Sequence, residues 1–286
     1  MDATRVILRA DESVSVLQAL LALPVGIEVG PTGLADRADA GELVDIDGRP
    51  VALESPARRN AAVFLYRDLP DEVPVPFGLE ILFDDENLVV VDKPHFLATM
   101  PRGRHVAQTA LVRLRRELGN DDLAPVHRLD RLTAGVLMFT RRPQVRAAYQ
   151  DLFARRQVRK EYWARSTEPG ERLRTGAQVA NRIEKRAGDL RARVVDGPVN
   201  AISRITRVDN GFRLVPETGR THQLRLHMAG LGVPIVDDPL YPDVRSELAA
   251  LPDRGDFSRP LQLVATKLAF TDPLTGVQQR FSSRWA

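Results

Sequence analysis

Cysteine is absent from this 286-residue chain, which excludes disulfides, thiolate catalysis and cysteine-type zinc sites together. Five histidines remain as nitrogen ligands. They are poorly spaced for a metal: His222 and His227 fall off a common helix face, and no HExxH pattern occurs. No run of eighteen apolar residues is present, and Met1-Asp2-Ala3-Thr4-Arg5 lacks the charged-then-apolar order of a secretion signal. Neither membrane insertion nor export is expected, and the cytoplasm is the expected location. Phosphate-cradling P-loop and GxGxxG words are missing too, so no nucleotide cofactor is expected. Lysine is scarce: Lys93, Lys160, Lys185 and Lys267 are the four among 41 basic residues, and the rest are arginine.

What is present is ordinary in amount and uneven in place. A hydrophobic content of 43% over this length allows one large domain and a small one. Residues 1–75 hold 7 Arg against 13 Asp or Glu, a net −6, so the overall +3 leaves +9 on residues 76–286. Within the basic part, residues 141–165 carry 7 Arg and Lys160 against Asp151 and Glu161. Such a patch attracts a phosphate backbone, although a solvated helix face has the same composition.

The N-terminal segment reads as a strand (5–9), a helix (14–23) stopped by Pro24, and a strand pair around 43–51 turning at Asp47-Gly48. Residues 1–67 thus form a small α+β module. Residues 68–77, with Pro70, Pro74 and Pro76, have a linker's composition. The larger domain, 78–286, opens with a hairpin of 79–83 and the valine-rich 88–91. Thr109 then caps a helix ending at Gly119, and a buried strand follows at 136–140. Val145, Tyr149, Leu152 and Phe153 give the next helix its apolar stripe. In the strand 158–164, alternation puts Lys160 and Tyr162 on one face and Glu161 and Trp163 on the other. Residues 201–209 and 212–217 pair across Asn210-Gly211, Thr221 opens a helix stopped by Gly232, and 261–271 with 277–284 make a closing hairpin. Strands in meanders with few helices indicate an α+β fold built on a mixed, mainly antiparallel sheet.

Two words stand out: His127-Arg128-Leu129-Asp130-Arg131-Leu132-Thr133-Ala134-Gly135, and Thr218-Gly219-Arg220-Thr221-His222-Gln223-Leu224-Arg225-Leu226-His227. An Asp-Arg pair alone reads as a salt-bridged loop. Together, however, the words resemble the signature of the RluA family of pseudouridine synthases, with its HRLD and GRTHQLRxH segments. Asp92-Lys93-Pro94 after the valine strand is similar to that family's opening block, and the resemblance runs from about Leu79 to Phe270. It departs from the family pattern at Phe96 (usually Gly), Ala134 (often Ser), Asp237 (Gly before Asp238) and Val264 (His). Gly41 to Gly48 echoes, weakly, the hairpin of an N-terminal RNA-binding module, but the acidic charge there argues against a strong phosphate-binding role.

The resemblance implies a pseudouridine synthase domain that isomerises uridines in structured ribosomal or transfer RNA. The target base flips out of its stack; an isomerisation with no redox change needs no cofactor, no metal is expected, and the single basic face makes a monomer the default. It makes Asp130 the catalytic carboxylate and Arg225 its ion-pair partner. Tyr162 and Leu224 then lie against the uracil, with Tyr162 also able to take part in removing the C5 proton. Arg128 becomes a phosphate clamp or a filler of the space the base vacates. Lys160, Arg141, Arg142, Arg155, Arg156 and Arg159 are candidates for holding the RNA backbone, and Lys93 and His127 are structural or RNA-contacting. Two alternatives remain at this point: a non-catalytic RNA-binding or ribosome-assembly factor on the same fold, and a hydrolytic N-glycosidase using Asp130 with Glu217.

Overall fold

The structure is a computed structural model that describes residues 4–65, 72–103, 105–186 and 188–285. The chain divides into two compact units, Met1–Pro70 and Asp71–Ala286.

In the first unit, β1 (Thr4–Ile7), α1 (Val16–Leu21), α2 (Pro24–Asp39), β2 (Leu43–Val44) and β3 (Ala62–Leu65) build an antiparallel sheet of order β1-β3-β2 under two helices. Ser15 and Gln18 form a reciprocal capping box at the start of α1. Pro24 ends that helix, as expected, but it also opens α2 from the first-turn position, where its missing N–H costs nothing. Sequence periodicity does not reveal α2, because Gly26, Gly30 and Gly33 interrupt it and Gly30 breaks the helix at φ 73°. The Asp45–Arg49 turn forms around Asp47-Gly48, with the Asp45 carboxylate accepting the N–H groups of Asp47 and Arg49. Its second arm makes only a bridge from Val44 to Pro50, and β2 pairs instead with β3.

Of the linker expected at 68–77, residues 68–71 lie outside the described residues. Residues 72–77 run along the second unit as a fastened strap. Glu72 accepts the N–H groups of Val106, Ala107 and Gln108 at 2.8, 2.6 and 3.0 Å. The Arg113 guanidinium donates to the carbonyls of Val75 and Phe77. The strap's prolines suit an extended path that is held by side chains rather than by a ladder.

The second unit contains β4 (Glu80–Asp84), β5 (Leu88–Lys93), α3 (Ala110–Leu118), β6 (Ala124–Pro125), β7 (Ala134–Thr140), α4 (Pro143–Ala154), β8 (Arg159–Ala164), β9 (Ala177–Glu184), β10 (Arg193–Val195), β11 (Ala201–Val208), β12 (Gly211–Pro216), α5 (Gln223–Gly230), α6 (Ser246–Ala250), β13 (Leu263–Thr271) and β14 (Gln278–Ser282). They form one eleven-stranded sheet of order β10-β9-β11-β12-β8-β13-β7-β5-β4, with β14 on β13 and β6 on β7. The β13–β7 pairing alone among these is parallel. The expected α+β class and mixed sheet are what the structure has.

The continuous apolar runs in β5 and β7 exist because both faces of that region are covered. Val89, Val91, Leu137 and Phe139 pack with Leu111 and Leu114 of α3. Their alternate neighbours Leu88, Val90, Val136 and Met138 pack with Val145, Tyr149 and Leu152 of α4. A third cluster sets Leu224 and Met228 of α5 against Ile205, Phe212, Leu214 and Leu263. Gly135, at φ 116°, sits where β7 meets β13. A Cβ there would lie 2.2 Å from the Ala265 carbonyl oxygen, so only glycine permits the junction.

Candidate active site

Asp130 stands in the turn that joins β6 to β7, and the segment after β5 grips this turn. Thr99 Oγ1 donates to the Leu129 carbonyl at 2.8 Å and accepts the Leu129 N–H at 3.1 Å. His95 Nδ1 meets the Leu132 carbonyl at 2.8 Å. Lys93, fully buried, donates through Nζ to the carbonyls of Pro94, Leu97 and Arg131. The DKP word therefore supports the Asp130 turn from beneath. Lys93 cannot reach an RNA, and burial pushes its ammonium down to about 7, with Asp130 pulling the other way.

Arg225, in the first turn of α5, approaches Asp130 from the opposite side, Nη1 to Oδ2 at 3.7 Å. Its stronger partner is Asp238. Nε and Nη2 donate to the two oxygens of that carboxylate at 2.8 and 2.7 Å. Asp238 Oδ1 also accepts the N–H groups of Leu240 and Tyr241, and the Tyr241 ring lies 5.3 Å from the guanidinium carbon. Burial works against the Arg225 charge, but Asp238 first and Asp130 after it outweigh burial and hold the guanidinium above its ordinary value. Asp130 is thus the outer member of a carboxylate–guanidinium–carboxylate row. Its side chain is 28% exposed, against 3% for Arg225 and 1% for Asp238. Among the described residues no hydrogen bond ties the Asp130 carboxylate. The Arg225–Asp238 pair escaped sequence reasoning because the residues are 13 apart and share no periodic face.

These groups open on a cleft of about 970 Å³, within the size range of ligand sites. Arg128, Asp130, Arg156, Lys160, Tyr162, Leu224 and Arg225 all line it. Arg128 is exposed and has no side-chain partner among the described residues. Lys160 Nζ reaches the Thr218 carbonyl at 3.4 Å, and burial, then Arg156, lowers its pKa. Burial, then Asp130, raises the Tyr162 phenol above its ordinary value. Sequence reasoning missed Arg146, Arg220 and His222, which also line the cleft. The only signal for Arg146 was its membership of the basic stretch.

The structure does not bring the remaining candidates to the cleft. Arg141 makes a two-point contact with Asp84, and Arg142 donates to Asn87, so both brace the acidic β4–β5 turn. Arg155 pairs with Asp151 one helical turn back. Arg159 lies on the other face of β8. A local count of charge cannot distinguish these directions; strand alternation and turn geometry do.

Four histidines, His127 and His222 in the cleft and His95 and His227 outside its lining, are built to stay neutral. His127 accepts the Met138 N–H through Nε2 and stacks on Phe153, and burial pushes it down to about 3. Burial likewise holds His95, His222 and His227 at about 4. The unfolded chain takes up protons on these rings below about pH 6.5, whereas the folded chain resists until about pH 4. Their stabilisation is complete above pH 6.5 and is lost progressively as pH falls toward 4. Thermal unfolding at stepped pH is expected to show a melting temperature that drops through this window; a flat profile from pH 6.5 to 4.5 would contradict the assignment.

A family model described as RNA pseudouridylate synthase matches residues 87–230. Human pseudouridylate synthase RPUSD2 is 34% identical over 62% of this chain and 32% of its own length. The chain spans about a third of that relative. The dual-specificity RNA pseudouridine synthase RluA of Vibrio cholerae is 31% identical over 68% of this chain and 78% of its own. The solved structure of human RNA pseudouridylate synthase domain containing 4 matches with a TM-score of 0.54 at 27% identity, covering 72% of this chain and 88% of that one. Among the described residues, no helix is long and apolar enough to cross a membrane.

Proposed function

Because the chain belongs to the RluA family of RNA pseudouridylate synthases, we propose that it isomerises uridine to pseudouridine in structured ribosomal or transfer RNA, with Asp130 as the reacting carboxylate. The observation that carries this reading is the placement of Asp130: open to the cleft, its carboxylate untied by hydrogen bonds among the described residues, and 3.7 Å from a guanidinium that is already held in place.

Isomerisation breaks the bond between the sugar and N1 of uracil, turns the base, and joins the sugar to C5. The base must first leave its stack, at a cost of roughly a few kcal/mol that loops and bulges reduce. Attack on the anomeric carbon and abstraction of the 2′ proton both need a carboxylate facing the sugar, which Asp130 presents to the cleft with Arg225 beside it. Tyr162 and Leu224 supply the apolar faces between which the base turns while water is kept away. Arg128, Arg156, Lys160, Arg146 and Arg220 surround the entrance with positive charge and hold the backbone. Residues 78–286 constitute the catalytic domain and 1–67 an accessory module, in a monomer working in the cytoplasm.

The test is site-resolved pseudouridine mapping of total RNA from cells with and without the chain, followed by restoration with purified protein. Defined uridines are expected to lose and then regain the modification, with no free uracil released. Uracil release would indicate hydrolysis instead, and an unchanged map would overturn the reading.

A further inference from the structure

The sheet carries a second cationic groove, on the face turned away from the cleft. Alternation along β8 sends Lys160 and Tyr162 to the cleft and Arg159 and Glu161 to the opposite side. On that side, β8, β12, β13 and β14 line a trough of about 830 Å³ that includes Arg159, Arg213, Lys267 and Arg280. Ala269 of β13 lies between Arg159 on β8 and Arg280 on β14, and Lys267 lies between Glu161 and Ser282. Neighbouring strands are about 4.8 Å apart, so the two arginines rise on either side of a small floor residue, roughly 10 Å from each other. Thr271 and Ser282 extend this low floor.

The charges are unbalanced. Glu161 is the one carboxylate in the lining, and it pairs with Arg213 at 2.9 Å and Lys267 at 3.3 Å. The side chains of Arg159 and Arg280 are exposed and have no partner among the described residues. Phe270 and Phe281, the lining's two aromatic residues, are buried. The groove therefore offers charge and hydrogen-bond donors but no ring on which a base could stack.

We propose that this groove is a second docking site for RNA backbone, holding a segment of the substrate RNA remote from the reacting uridine. The inference rests on the RNA-modifying reading for its choice of polyanion. A narrow concave trough suits a phosphate chain, whereas a membrane surface would meet a flat or convex face. With only phosphate contacts, the site strengthens binding without reading sequence. It favours RNAs long enough to reach both faces over isolated stem-loops.

The experiment compares wild type with the Lys267→Gln/Arg280→Gln variant. Affinities are measured across a salt series for full-length transfer RNA, for a folded ribosomal RNA fragment, for stem-loops cut from each, and for acidic phospholipid vesicles. The variant is expected to bind at least one full-length RNA about tenfold more weakly, with a log–log salt slope reduced by about 1 to 2, and to bind the stem-loops as wild type does. A Lys267→Arg/Arg280→Lys variant should retain the wild-type affinity, which shows that charge, and not a change in folding, is responsible. Equal affinity of wild type and the neutral variant for every full-length RNA overturns this inference alone. So does a defect confined to binding of acidic phospholipid vesicles. A wild-type chain that binds none of these RNAs overturns both this inference and the RNA-modifying reading.

Discussion

Asp130→Asn is expected to reduce pseudouridine formation on the order of 10⁴-fold or more while leaving RNA affinity within a few-fold of wild type. The amide is nearly the size of the carboxylate, but it neither attacks an anomeric carbon nor removes a proton at neutral pH. The fold has little reason to respond: the Asp130 carboxylate accepts no hydrogen bond among the described residues, and its distance to Arg225 is 3.7 Å. The Arg225 charge also remains neutralised by Asp238, at 2.7 and 2.8 Å. Single-turnover kinetics and equilibrium binding on one RNA separate the two effects. Retained modification would remove Asp130 from the chemistry, and loss of binding in parallel with activity would recast it as a structural or RNA-holding residue.

Asp238→Ala acts through stability first. Arg225 is 3% exposed, so removing its two-point partner leaves a buried guanidinium facing a single, looser carboxylate. Breaking a buried pair in this way costs about 3–5 kcal/mol, which for a domain of this size lowers the melting temperature by about 10 °C or more. The amides of Leu240 and Tyr241 lose their acceptor as well. Activity should fall further than unfolding explains, because Arg225 is then free to turn toward Asp130. Replacing both partners, as Arg225→Leu/Asp238→Leu, is expected to recover much of the lost stability without restoring activity. If the double variant were as unstable as Asp238→Ala, the pairing would not be the source of the loss.

How much of this was legible in the sequence depended on whether the information was local. The α3 helix was readable at both ends because Thr109 accepts the Val112 N–H and Gly119 adopts the left-handed cap, both short-range events. The Asn210-Gly211 hairpin and the two faces of β8 followed from turn chemistry and alternation. The pieces that escaped were those whose signal is weak or distant. Helix α2 is interrupted by glycines, and β9 and β10 are half-exposed strands of modest hydrophobicity that exist because β11 offers an edge to β9 and β9 in turn offers one to β10.

The same division runs through the site. The sequence alone located the residues to which we assign the chemistry: one carboxylate in a turn, one arginine near the start of a helix, and a tyrosine on the Lys160 face of a strand. These are properties of short words and their periods. Only the tertiary structure decided which charges are free to act. It assigned Arg225 first to Asp238 and only then to Asp130, committed Arg141 and Arg142 to the β4–β5 turn, and turned Arg159 to the far side of the sheet. The physical reason is that a charge's role depends on its distance to other charges and on its exclusion from water. Both are set by contacts between residues far apart in the chain.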